Sequence, residues 1–215
     1  MPRKLDVLNR LDRERLVLIL RLDDPEEVMR VAKHAIEGGI TMLEVPLTTP
    51  GALDAIELLA TEYGPQVVVG AGTVLDGNAA YAAINAGASF LVSPQLNPEM
   101  LALANRYQIT TICGAYTPTE MLQALTHGAD VVKLFPTDGG PAFAKAILAP
   151  LPQVPVIPAG GATPENVAEW FDAGVVGVGA GSYITKAAAE SGDYNDVTAA
   201  ATTLLQAVRG APRHD

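Results

Sequence analysis

The chain holds one cysteine, Cys113, in 215 residues, and one thiol cannot close an intrachain disulfide. Basic residues are scarce as well, Lys and Arg numbering 14 against 24 Asp and Glu, which gives a formal net charge of -10. Nucleic acid and anionic membrane are therefore excluded as partners, because both need a basic face to neutralise phosphate. No apolar run approaches the ~20 residues of a membrane-spanning helix. The start, Met1-Pro2-Arg3-Lys4, lacks the apolar stretch of a signal peptide, so a reducing cytoplasm is the expected setting. Metal-ligand spacing is missing too: His34, His127 and His214 form no cluster with Cys or carboxylates, and no metal or other cofactor is expected. His34 and His127 fall near helix ends, where a dipole-facing role suffices.

What is present is a globular composition, with 49% apolar and 18% charged residues, enough to bury a sizeable core in a single domain. Short apolar runs recur at Val17–Leu22, Thr41–Val45, Val67–Ala71, Phe90–Val92, Thr110–Cys113, Val131–Phe135, Val154–Ile157 and Val175–Val178, and read as strands. Between them lie helix starts in which an N-cap residue precedes proline: Asp24-Pro25, Asn97-Pro98, Thr117-Pro118 and Thr163-Pro164. Gly38-Gly39, Gly64, Gly87, Gly128 and Gly174 mark helix ends. In the first of these helices Val28, Val31, Ala32, Ala35 and Ile36 supply one apolar face.

Strand and helix alternating eight times with short loops predict an α/β fold, a (β/α)₈ TIM barrel, in preference to an open doubly wound sheet. The open sheet would have a glycine-rich first turn, and Arg21-Leu22-Asp23-Asp24 has no glycine. Residues 1–15 read as an extra amphipathic helix closing the barrel floor, residues 16–209 as the barrel, and residues 210–215 as a frayed tail.

One cation interrupts an apolar strand: Lys133 in Val131-Val132-Lys133-Leu134-Phe135-Pro136. Alternation puts Val131, Lys133 and Phe135 on one face and Val132 and Leu134 on the other; if the second face meets the helices, Lys133 points into the barrel. A desolvated lysine holds more of the neutral amine that attacks a ketone. The competing reading is a lysine at a strand end that snorkels to solvent, but it does not stand alone. Glu44 closes the second strand, Arg21 the first, and Thr73 follows the third, and in a parallel barrel these strand ends open on one face. By contrast Lys33, Lys145 and Lys186 lie in polar-flanked helical positions and read as surface residues.

A second site is indicated by Pro158-Ala159-Gly160-Gly161-Ala162-Thr163 after strand seven and Gly177-Val178-Gly179-Ala180-Gly181-Ser182 after strand eight. Glycines let backbone amides approach an anion, and the loops after strands seven and eight form the usual phosphate site of such barrels.

Taken together, Leu43-Glu44-Val45, Gly70-Ala71-Gly72-Thr73-Val74-Leu75, Val92-Ser93-Pro94, Val132-Lys133-Leu134-Phe135-Pro136, Gly160-Gly161 and Gly179-Ala180-Gly181-Ser182 make the sequence resemble the 2-keto-3-deoxy-6-phosphogluconate and 2-keto-3-deoxy-6-phosphogalactonate aldolases, a family that includes 4-hydroxy-2-oxoglutarate aldolases. The similarity runs from about Val17 to Ser182. It implies a class I aldolase yielding pyruvate and a phosphorylated aldehyde, with Lys133 forming the Schiff base and Glu44 acting as general acid/base. Thr73, Pro94 and Phe135 would bind substrate, and Gly160, Gly161, Gly181 and Ser182 its phosphate. A metal-free homotrimer acting on a small molecule is implied as well. Two positions depart from the pattern. Gluconate-type enzymes carry an Arg four residues after the glutamate, where this chain has Thr48, and often a Thr before the paired glycines, where it has Ala159. Arg21 is expected to bind the substrate carboxylate in place of the first, since a guanidinium grips a carboxylate bidentately from either strand. Both departures lean towards the galactonate-type pattern. Oxaloacetate decarboxylation, 4-hydroxy-2-oxoglutarate cleavage and a non-catalytic phosphometabolite-binding barrel remain as alternatives. An epimerase would need metal ligands, and a thiamine-phosphate synthase would not need Lys133.

Overall fold

Each apolar run becomes a strand in the computed structural model, which describes residues 4–213: β1 (Leu16–Ile19), β2 (Met42–Pro46), β3 (Val68–Gly72), β4 (Phe90–Val92), β5 (Thr110–Ala115), β6 (Val131–Leu134), β7 (Val156–Pro158) and β8 (Val178–Ala180). The helices are α1 (Lys4–Glu14), α2 (Pro25–Glu37), α3 (Ala52–Tyr63), α4 (Gly77–Asn85), α5 (Pro98–Tyr107), α6 (Pro118–Thr126), α7 (Gly140–Leu148), α8 (Val167–Asp172), α9 (Ser182–Thr185) and α10 (Asn195–Gly210). All neighbouring strands are parallel, in the order β7-β6-β5-β4-β3-β2-β1-β8. The two ends meet through a bridge between Ala159 and Gly179, with the Gly160 amide donating to the Gly179 carbonyl at 2.9 Å. The predicted TIM barrel is the observed fold.

Strand eight is shifted from its sequence reading. Gly179 and Ala180, read as loop, are in β8, whereas Val175 to Gly177 precede it. The reason is steric. A Cβ on Gly179 would come within 3.3 Å of the Ala159 Cα, the Pro158 carbonyl and Ile19, so glycine here is what lets β7 and β8 close the seam beside β1. Strand one is shorter than expected and ends at Ile19, although the Leu20 amide still pairs with the Glu44 carbonyl at 2.8 Å.

Side-chain alternation divides the core in two. Val17, Met42, Val68, Phe90, Val92, Ile112, Val131 and Ile157 fill the barrel, and α1 adds Val7 and Leu11 to that cluster, closing the floor as predicted. Between strands and helices lies a second layer that includes Leu18, Leu43, Val69, Leu91, Val132 and Leu134. In β6, therefore, Val132 and Leu134 face the helices, which meets the condition under which Lys133 points into the barrel. Lys4 fastens α1 to the end of α5, through Asn105 at 2.9 Å, and to the turn before β6, through Asp130 at 2.8 Å.

Three of the four proline-marked N-caps act as expected: Asp24 accepts from the Glu26 amide at 3.0 Å, Asn97 from Met100 at 3.1 Å, and Thr117 forms a capping box with Glu120. The fourth does not. After Thr163 the chain makes a turn first, the Asn166 side chain taking the Thr163 amide at 2.9 Å, and α8 begins only at Val167. Residues 210–213 also differ from the frayed tail of the sequence reading. Gly210 ends α10, Ala211 is buried, and Arg15 donates to the carbonyls of Val208, Ala211 and Pro212 while its guanidinium lies 4.4 Å from the Phe171 ring centroid. A buried guanidinium needs acceptors, and the tail supplies them. Residues 1–3 of the predicted first helix and residues 214–215 of the tail, His214 included, lie outside the described residues. No described helix is long and apolar enough to cross a membrane.

Candidate active site

Two residues beyond the apolar floor, the inward positions of β2 and β6 turn polar. Glu44 stands two places after Met42 on β2, opposite Ile19 and Gly70; Lys133 stands two places after Val131 on β6, opposite Gly114 and Ile157. Both are almost fully buried, at 3% and 5% exposure, a depth at which an unpaired charge is strongly disfavoured. Glycine makes the room. An added Cβ on Gly72 would overlap the Glu44 carboxylate, so the absence of a side chain on β3 allows the Glu44 side chain to lie across it.

Burial pushes the Glu44 carboxyl above its ordinary value, while the charges of Lys133 and Arg21 pull it down. Burial pushes the Lys133 ammonium below its ordinary value; Glu44 pulls it up, and Arg21 adds to the lowering. The three groups thus feel one another across β1, β2 and β6. Glu44 Oε1 is buried with no hydrogen-bond partner, which leaves one carboxylate oxygen uncommitted inside the barrel. Lys133 Nζ lies 5.0 Å from the centroid of the Phe135 ring, itself 42% exposed at the mouth.

Arg21 is exposed and sits two residues past the end of β1 rather than at its last position. Its Nη1 donates to Thr48 Oγ1, just past β2. Thr73 follows β3 with φ 55, a left-handed conformation costly for a β-branched residue and of the kind that collects at ligand sites. Pro94 follows β4 and packs its backbone against Gly114 on β5.

The glycine loops meet at the β7/β8 seam. Gly160 and Gly161 have φ 106 and 74. The Gly160 amide is committed to Gly179. The Gly160 carbonyl accepts from Thr137 Oγ1 at 3.4 Å and the Gly161 carbonyl from Asn166 Nδ2 at 2.7 Å. Gly181 precedes α9, whose first amides, at Ser182 and Tyr183, come before the first internal hydrogen bond, from Ile184 to the Gly181 carbonyl.

All the sequence-predicted residues therefore lie on or just past the C-terminal ends of strands. Lys33 and Lys145 are exposed on the outer helices, and Lys186 is exposed just after α9. His34 pairs with Thr198 and Glu37 in the last turn of α2, and His127 ends α6. Among the described residues no group of three or more His, Cys, Asp or Glu is placed to hold a metal. Sequence reasoning missed Gly72, Thr137 and Asn166. A glycine inside an apolar strand is a signal of close approach and could have revealed the first; the hydroxyl and amide carry no signal of their own until the loop they touch is folded.

Known proteins resemble this chain in sequence and fold. A family model described as KDPG and KHG aldolase matches residues 7–200. The 2-dehydro-3-deoxy-6-phosphogalactonate aldolase of Escherichia coli (strain K12) is 37% identical over 174 residues, covering 80% of this chain and 85% of that protein. A 2-dehydro-3-deoxy-phosphogluconate aldolase of Pseudomonas aeruginosa is 34% identical over 203 residues, 93% of this chain and 92% of that one. Among solved structures, KDPG aldolase from Legionella pneumophila, with pyruvate captured at low pH as a covalent carbinolamine intermediate, superposes with a TM-score of 0.80 at 29% identity, covering 89% of this chain and 94% of the other.

Proposed function

The chain belongs to the KDPG and KHG aldolase family and is a lyase, and from that premise we propose that it cleaves a 2-keto-3-deoxy-6-phospho sugar acid to pyruvate and glyceraldehyde 3-phosphate through a Schiff base on Lys133. The observation that carries this reading is a buried amine, its pKa lowered by burial, facing a buried carboxylate with an unpartnered oxygen. The neutral Lys133 amine attacks the C2 carbonyl, and loss of water gives an iminium. Glu44 takes the C4 hydroxyl proton as the C3–C4 bond breaks, the bonding electrons passing into the iminium to leave an enamine and the aldehyde. Protonation of the enamine at C3 and hydrolysis then release pyruvate and the free amine. Arg21 holds the carboxylate, Thr73, Pro94 and Phe135 line the pyruvate end, and Gly160, Gly161, Gly181 and Ser182 receive the phosphate. Pyruvate held as a carbinolamine in the Legionella relative supports an amine nucleophile.

Borohydride reduction of the enzyme with pyruvate, read by mass spectrometry, tests the nucleophile. A covalent adduct on the wild type that Lys133→Met abolishes is the expected result, Met roughly conserving the volume. Adduct formation in the variant would reassign the lysine, and no adduct on the wild type would favour a silent binding barrel. Retro-aldol rates on the two phosphorylated epimers and on 4-hydroxy-2-oxoglutarate then identify the substrate. The family resemblance implies a homotrimer, which light scattering on the purified chain tests; a monomer at assay concentration would remove it from this reading.

A further inference from the structure

A loop of two glycines in succession, both at positive φ, is the least self-determined backbone in the mouth of this barrel. No side chain of its own can pack to fix it, and ordering such residues costs backbone entropy. Two side chains from elsewhere nonetheless hold it. Thr137, four residues beyond Lys133 on the same chain segment, donates to the Gly160 carbonyl at 3.4 Å, and its Oγ1 lies 3.9 Å from where a Cβ of either glycine would be. Asn166 donates to the Gly161 carbonyl at 2.7 Å, and its own Oδ1 is held by the Thr163 amide at 2.9 Å. The rest of the loop is fastened on either side, Gly160 to the β8 seam and Ala162 by burial.

Carbonyl anchors have a consequence for the amides. In a trans peptide the C=O and the following N–H point in opposite directions. Fixing the Gly160 carbonyl on Thr137 turns the Gly161 amide to the far side of the loop, and fixing the Gly161 carbonyl on Asn166 does the same for the Ala162 amide. An anion recognised by amides alone is bound only as well as those amides are aimed. Ala159, ahead of the glycines, carries no side-chain donor to add to them.

We propose that Thr137 and Asn166 are positioning residues for the distal, phosphate-bearing end of the substrate: by holding the two glycine carbonyls they aim the loop's amides, and so set the preference for a phosphorylated over an unphosphorylated substrate. This rests on the phosphate-binding reading above. Thr137 also joins the loop to the segment that carries Lys133, tying the far end of the substrate to the strand that bears the amine.

The full-length enzyme is assayed with a 2-keto-3-deoxy-6-phospho sugar acid and with the same acid lacking the phosphate, for the wild type, Thr137→Val, Asn166→Ala and Thr137→Ser. Loss of one oriented hydrogen bond lowers the ratio of kcat/KM between the two substrates about tenfold in each of the first two variants. The change is carried by KM of the phosphorylated substrate, and Thr137→Ser, which keeps the hydroxyl, retains the ratio. A wild-type ratio well above one with no variant changing it, or equal losses on both substrates, overturns the proposal and leaves these residues merely structural. A wild-type ratio near one overturns the phosphate reading itself, and this inference with it. Should Asn166→Ala fail to fold, the two Thr137 variants decide the question alone.

Discussion

Arg21 Nη1 and Thr48 Oγ1 lie 3.4 Å apart, so a residue just past β1 and a residue just past β2 reach one point at the mouth of the barrel. Arg21 also acts electrostatically on Glu44 and Lys133. A positive charge at that point is available from either strand end, and in this chain it comes from the first.

Arg21→Ala is therefore expected to lose one charge-assisted hydrogen bond to the substrate carboxylate, about 1.5–3 kcal/mol or roughly ten- to a hundredfold in kcat/KM. The second-site change Thr48→Arg in that background should restore part of the loss, because the two side chains already touch. Steady-state kinetics on a 2-keto acid check both; unchanged kinetics in Arg21→Ala would return Arg21 to a structural role.

The same variant should move the pH profile. Burial dominates both shifts, raising Glu44 and lowering Lys133, and the Arg21 charge favours carboxylate over carboxyl and neutral amine over ammonium. Removing that charge raises both pKa values. The proposed active form needs Glu44 ionised and Lys133 neutral, so the acid limb of kcat/KM shifts to higher pH in Arg21→Ala, and added salt reduces the shift. A limb that stays in place, or moves to lower pH, contradicts this assignment of the titrating pair.

Glu44→Gln keeps the side-chain shape and removes the proton acceptor. Turnover is expected to fall on the order of 10² to 10⁴, while borohydride trapping of pyruvate persists, if slowly. A loss below about tenfold would sink Glu44 as the principal proton shuttle.

Gly72→Ala reaches the same carboxylate indirectly. The added methyl overlaps the Glu44 side chain, which must turn away, at a strain of about 1–3 kcal/mol. The effect should appear in kcat more than in KM, and thermal melts should show a folded enzyme of lowered stability. Wild-type kcat in this variant would mean that the Glu44 position observed here is not the working one.

At the opposite end of the barrel, Arg15→Met leaves the carbonyls of Val208, Ala211 and Pro212 without their donor. A destabilisation of about 1–3 kcal/mol is expected in urea unfolding, with activity per folded molecule retained. An unchanged midpoint would show that water replaces the guanidinium at no cost.

Much of this was legible in the chain itself. Eight apolar runs separated by capped helices specify a parallel barrel because strand and helix periods, N-caps and C-terminal glycines are local properties, written within a few residues of where they act. Lys133 and Glu44 stood out for the same reason, each a charge in an apolar strand, and alternation set Lys133 on the face opposite Val132 and Leu134, though not which face is inward. The elements, their order and the strand ends at which chemistry collects thus follow from local pattern alone. Relations between segments far apart in the chain come only from the folded barrel: Arg21 against Thr48, Gly72 beneath Glu44, Thr137 on the glycine loop, and Arg15 under the C-terminal residues. Gly179 shows the limit most clearly. By propensity it reads as loop, since glycine is poor in strands, yet it lies in β8, where a Cβ would press on the backbone of Pro158 and Ala159 beside β7. On its other side Gly179 meets Ile19 of β1, 160 positions earlier in the chain, and no pattern within a window of ten or twenty residues carries that contact.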